Sequence, residues 1–242
     1  MTKNNPLHTF HIPVMGLAYT IDSPIRVAKY GISSVISIMD DELIEKMNAF
    51  YSKKFDLPYQ EITQKIHDYR AERITSYLNL VDKIVKEKFE NFKTELSESK
   101  SALENYIAML PNKSEIKAGL QNLMEDGFAF KENIKNYLEK NLYPGDIDVN
   151  IMTKLDKDNF IKDEQLPIIF NDAHAALRGF VNSTLESSVV LSAGMNPRLY
   201  SYFESFSAFF PDSNNKLKKK ITLKVSDFRS AITSHAKRRP MR

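Results

Sequence analysis

Two lysines stand in otherwise apolar runs. Lys154 closes Ile147–Lys154, and Lys224 lies within Ile221–Ser226. A lysine in such a run points to a solvated edge or into a polar pocket, because burying an unpaired ammonium is costly. In a pocket its charge would hold a phosphate or a carboxylate. Other apolar runs end in small or polar residues: Gly16-Leu17-Ala18-Tyr19-Thr20, Ser37-Ile38-Met39-Asp40 and Ser192-Ala193-Gly194-Met195-Asn196. In parallel α/β sheets, ligands sit outside the carboxyl ends of strands, so these endings are the places where chemistry is expected. Small residues there also serve tight turns, and aspartate is an ordinary helix N-cap, so both readings stand. His174, beside Asp172 at a helix start, reads as a surface or cap residue rather than a base.

Several chemistries are excluded or lose support. The chain has no cysteine, which removes disulfides, thiolate metal sites and a cysteine nucleophile. Its five histidines form no HxH or HExxH pair. No GxGxxG, P-loop or GxSxG motif occurs, so dinucleotide, NTP and serine-hydrolase readings lack their usual signature.

The elements that must carry the endings alternate. Phe10–Thr20 reads as a buried strand. Asp22 or Ser23 can cap a helix with Pro24 in its first turn, and Gly31 stops that helix after Tyr30. Ser34–Met39 is a second strand, and Asp40 and Asp41 cap a helix over Glu42–Lys54. This βαβα unit implies a parallel sheet. From residue 59 to 145 the strand signal vanishes. Ile74, Leu78, Val81, Val85, Phe89, Phe92 and Leu96 form one stripe at three-four spacing, as on a long helix. Pro111 ends the run, Asn112 or Ser114 starts another helix, a break is expected at Gly127, and Pro144-Gly145 is a turn. Alternation then resumes: strands at 147–154, 188–194 and 221–226, and helices from Asn171 to about Leu185 and over Arg198–Phe209.

Length and charge set the outer bounds. The 242 residues are 42% hydrophobic and 27% charged, an ordinary globular balance with a formal net charge of +3. Ten of the 34 basic residues but one of the 31 acidic ones fall in Ser213–Arg242. No aromatic residues interleave the Lys216–Lys220 cluster, so it reads as a solvated loop rather than a nucleic-acid surface. There is no run of 18 apolar residues, so no membrane contact is expected and the chain is read as cytoplasmic.

The opening residues add a family likeness. Ile12-Pro13-Val14-Met15-Gly16-Leu17-Ala18, Asp22-Ser23-Pro24 with Val27-Ala28, and Tyr30-Gly31-Ile32 with Ser34-Val35-Ile36 resemble the first βαβ unit of FMN-dependent (β/α)8 barrels. The nearest types are nitronate monooxygenases and the flavin domain of glutamate synthases. The likeness covers about thirty residues and is only architectural after residue 145. A single Gly31 stands where that group has a glycine pair, and the helical insertion is not part of its pattern. The resemblance implies FMN, with Gly16, Leu17 and Ala18 along the ring and Ser37, Lys154, Gly194 and Lys224 among its contacts.

The expected fold is therefore α/β: an incomplete (β/α)8-type barrel of about five parallel strands, with a long helical insertion between strands two and three. Residues 1–58 form the first βαβα unit, 59–145 the insertion, and 146–242 further β/α units with a basic end. A full barrel needs about 250 residues without insertions. The chain thus reads as the N-terminal portion of a flavin-dependent oxidoreductase or synthase that does not act alone. The alternative is a non-enzymatic α/β protein whose helical arm, through its stripe, binds a partner or a second copy.

Overall fold

The computed structural model describes residues 20–125, 131–152, 156–192, 196–225 and 229. Gly16, Leu17, Ala18, Lys154 and Gly194 lie outside the described residues, as do the first expected strand up to Tyr19 and the expected break at Gly127. Among the described residues, no helix is long and apolar enough to cross a membrane.

One compact unit is built on a four-stranded parallel sheet: β1 (Ser34–Ile38), β2 (Ile147–Ile151), β5 (Ser188–Ser192) and β6 (Lys220–Lys224). Spatial order follows chain order, β1-β2-β5-β6. Val149 pairs with Val189, and Ser188 to Ser192 pair in register with Lys220 to Lys224. Such a sheet has no switch point, unlike a doubly wound one. The Thr20 carbonyl accepts from the Ser37 N–H at 2.7 Å, beside β1.

The side chains divide by alternation. Ile36 and Ile38 of β1, Val149 and Ile151 of β2, and Val189 and Leu191 of β5 are all buried. The opposite face carries Ser37, Asp148, Asn150, Thr222 and Lys224, together with Val35 and Val190. β6 ends the sheet order, with Ile221 42% exposed and Lys220 and Thr222 open to solvent.

Helices connect the strands. α2 (Asp41–Lys54) starts where Asp40, extended at φ −159°, accepts from the N–H groups of Glu42 and Leu43. Asp41 and Glu42 in its first turn and Lys53 and Lys54 in its last suit the helix dipole. α3 (Tyr69–Glu98) follows an irregular stretch. α7 (Asp172–Asn182) crosses α3 closely: a Cβ on Gly179 would lie 2.7 Å from Ile74 Cβ and 2.9 Å from the Ala71 carbonyl. α7 ends at Asn182, earlier than the expected Leu185, and its last carbonyls have a dedicated donor. Lys219 Nζ reaches the carbonyls of Phe180 (2.8 Å), Ser183 (2.9 Å) and Leu185. The reading of Lys219 as a solvated loop residue is thereby corrected: it is fully buried, while Lys218 and Lys220 beside it are exposed.

Two local expectations also change. Between β2 and α7 a small antiparallel hairpin appears, β3 (Phe160–Ile161) and β4 (Glu164–Gln165), turned by Lys162 and Asp163 at φ 48° and 66°. Two-residue strands are too short to show periodicity. The helix expected over Arg198–Phe209 is α8 (Pro197–Tyr202) followed by two 3-10 turns. The chain bends at an extended Phe206, where Phe203 and Phe206 meet the ring of Phe209 at 4.7 and 6.5 Å.

The other unit is helical and comprises residues 23–34 and 83–146. It contains α1 (Ser23–Val27), the later part of α3, α4 (Lys100–Met109), α5 (Glu115–Glu125) and α6 (Lys131–Asn141). Gly31 ends the first helical stretch at φ 81°, a left-handed position that favours glycine. Phe92 and Leu96 of α3 share a core with Leu103, Leu120, Ile134 and Leu138 from α4, α5 and α6. All seven residues of the α3 stripe are buried. At Gly145 the chain passes so close to Ile32 that a Cβ would sit 2.1 Å from its carbonyl oxygen.

Candidate functional site

The carboxyl edge of the sheet carries two distinct arrangements. The first lies on the helix side, where the chain leaves β1 and β2. Asp41, the first residue of α2, and Asp172, the first of α7, are both held by Arg70. Its Nη1 is 2.9 Å from Asp172 Oδ1, its Nε is 3.6 Å from Asp41 Oδ1, and it also donates to the carbonyls of Lys157 and Asp158. Arg73 adds a 2.7 Å contact to Asp41 and donates to the Ile62 carbonyl.

Two acids here respond in opposite directions. Burial pushes the Asp172 carboxyl up to about 6. Arg70 works against that rise, and the negative charge of Asp41 adds to it. For Asp40, burial opposes ionisation, but the Leu43 and Glu42 N–H bonds and Lys157 outweigh it and hold the carboxyl below its ordinary value. The cavity among Ile38, Met39, Asp40, Asp41, Arg70 and Asp172 has a volume of about 10 Å³. That is room for one water, not for a cofactor. The network therefore fastens two loops to α3.

The second arrangement lies on the opposite face of the sheet. Asn150 donates from Nδ2 to Ser37 Oγ at 3.2 Å, and Thr20 Oγ1 is 3.4 Å from the same hydroxyl. Asn150 is only 8% exposed, yet its Oδ1 has no hydrogen-bond partner among the described residues. A buried carbonyl oxygen left so is an acceptor aimed at a donor that the described residues do not supply. Ser37 is thus at the carboxyl half of β1, fully engaged and buried. Lys224 is half-buried at the carboxyl end of β6. Three strand spacings separate them, about 14 Å, so they can meet only opposite ends of one ligand.

Sequence reasoning missed Asn150 because it sits mid-run, four residues before the expected strand end at Lys154. Its signal was an amide side chain at a period-two position of an apolar strand. His174 is corrected too: it is buried at 2% exposure, not a surface residue. Among the described residues, no three His, Asp or Glu side chains are grouped to hold a metal ion. Compared with known proteins, the chain matches no family model, no curated protein and no solved structure.

Proposed function

We propose that this chain supplies the first β/α units of an FMN-type oxidoreductase or synthase barrel, forming part of the wall that faces the flavin ring. The observation that carries the reading is the buried, unpartnered Asn150 Oδ1 beside Ser37, on the face of the parallel sheet opposite its apolar layer. A flavin ring presents an imide N–H between two carbonyls. The imide N–H suits the Asn150 amide oxygen as acceptor, and the engaged Ser37 hydroxyl would hold that amide in place. Lys224 would place positive charge at the far end of the ring, where reduced flavin gathers negative charge. When bound, the flavin supplies hydride or electron transfer; this chain's residues orient it. The resemblance would add Gly16, Leu17, Ala18, Lys154 and Gly194 to this wall; they lie outside the described residues.

A closed barrel has eight strands, with its phosphate site usually after strands seven and eight. Four parallel strands stand in the described sheet. On this reading the described strands would form the ring side of the site, and the phosphate anchor would come from elsewhere in the barrel. The competing use of the helical arm, docking a partner or second copy through its stripe, lacks an exposed surface because the stripe is buried.

Titrating FMN against the purified chain tests the proposal. Weak binding, abolished in Asn150→Leu, is expected if the ring side binds without the charge-assisted phosphate bonds. A stoichiometric, tightly held flavin would refute the partial-site reading. Weak binding indifferent to Asn150→Leu would refute the assigned wall.

A further inference from the structure

Asp156 faces three groups from two elements, α7 and α8, at the carboxyl edge. Its Oδ1 accepts from the Ala173 N–H in the first turn of α7 at 3.0 Å. Its Oδ2 accepts from Asn196 Nδ2 at 3.0 Å. Asn196 in turn caps α8, accepting from the Leu199 N–H at 3.1 Å. The third neighbour is incomplete. His174 Nδ1 lies 3.7 Å from Asp156 Oδ2, too far for a hydrogen bond, and has no partner among the described residues although the ring is buried.

We propose that His174 and Asp156 form a proton-operated latch on α8. In the latch's open state the neutral ring carries its proton on Nε2, so an Nδ1 lone pair faces a carboxylate oxygen and the two stand apart. A proton there makes Nδ1 a donor, and the gap closes to a charge-assisted bond of roughly 2.7–2.9 Å. The carboxylate is then fixed in the position that Asn196 reads, and the N-cap of α8 is held. Asp156 has lone pairs for all three donors. It also remains ionised as the latch works: burial opposes ionisation, but the facing His174, the Ala173 N–H and Asn196 together keep its carboxyl below the ordinary range.

Among the described residues, the other charged and titratable groups near the ring are engaged elsewhere. Tyr202 of α8 lies 5.2 Å from the imidazole, ring to ring. Arg178, one turn further along α7, donates to the Tyr202 hydroxyl at 3.3 Å and is paired with Asp68. Asp172, two residues before His174, is engaged by Arg70. Burial pushes the Asp172 carboxyl up to about 6, inside the pH range of the test, so the test must separate the two.

Amide hydrogen exchange of Leu199 reads the latch directly. In the wild-type chain its protection factor should rise about tenfold between pH 8 and pH 5.5, the worth of one charge-assisted bond. In His174→Gln, which keeps Asp172, the rise should vanish. A rise that persists in His174→Gln assigns it to Asp172 and overturns the latch. A measurement on the unaltered chain guards against a variant that fails to fold: imidazole 15N shifts should show His174 Nδ1 gaining a proton at the midpoint of the Leu199 change. A different midpoint, or a His174 that does not titrate, overturns the proposal equally. None of these readouts depends on flavin.

Discussion

Replacing Asp172 with Asn asks whether burial or the Arg70 ion pair governs this acid. The folded carboxyl is pushed up to about 6 from an ordinary 3.8. Between those values the folded chain binds more protons than the unfolded one, so stability falls as pH rises through the window and the loss is complete above the folded value. Two units correspond to at most about 3 kcal/mol, and roughly 1–2 kcal/mol after solvent screening at this edge. Asparagine keeps the shape and cannot ionise. Urea unfolding of both proteins at pH 4 and pH 7.5 measures the difference, and all other titrating groups largely cancel. The variant should gain roughly 1–2 kcal/mol relative to wild type on going from pH 4 to pH 7.5. A gap independent of pH, or one that moves toward wild type, would show that the 2.9 Å contact with Arg70 outweighs burial and would refute the reasoning.

Two further outcomes concern packing. Gly179→Ala should destabilise the chain by about 1–3 kcal/mol, because the new Cβ meets the Ala71 carbonyl at 2.9 Å and α7 must move off α3; thermal unfolding no lower than wild type would show that the helices separate freely. Val85→Asp should cost several kcal/mol, on the order of a buried unpaired charge, since Val85 is only 3% exposed; a chemical-denaturation change within about half a kcal/mol would mean that the stripe opens to solvent.

Local patterns were legible in the residues alone. The three-four stripe from Ile74 to Leu96 announces a long helix with one buried side, and that side is buried. Asp40 before Asp41-Glu42 announces the start of α2, and Gly31 the end of the first helical stretch. These signals are local: a cap bonds within three residues, and a stripe repeats within one helix. The parallel sheet followed from alternation, as strands separated by helices leave little else. What a polar side chain meets is set by chain far away in sequence, and there the residues were silent. Lys219 looks solvated among lysines, yet it is buried because the end of α7, over thirty residues earlier, offers three carbonyls. His174 looks like a surface residue, yet Asp156 and Tyr202 enclose it. Asn150 became a candidate only when β1 placed Ser37 against its amide and left its oxygen without a donor. Composition determines which groups exist; only the tertiary fold decides which of them lose water, and loss of water is what turns an ordinary polar side chain into a site.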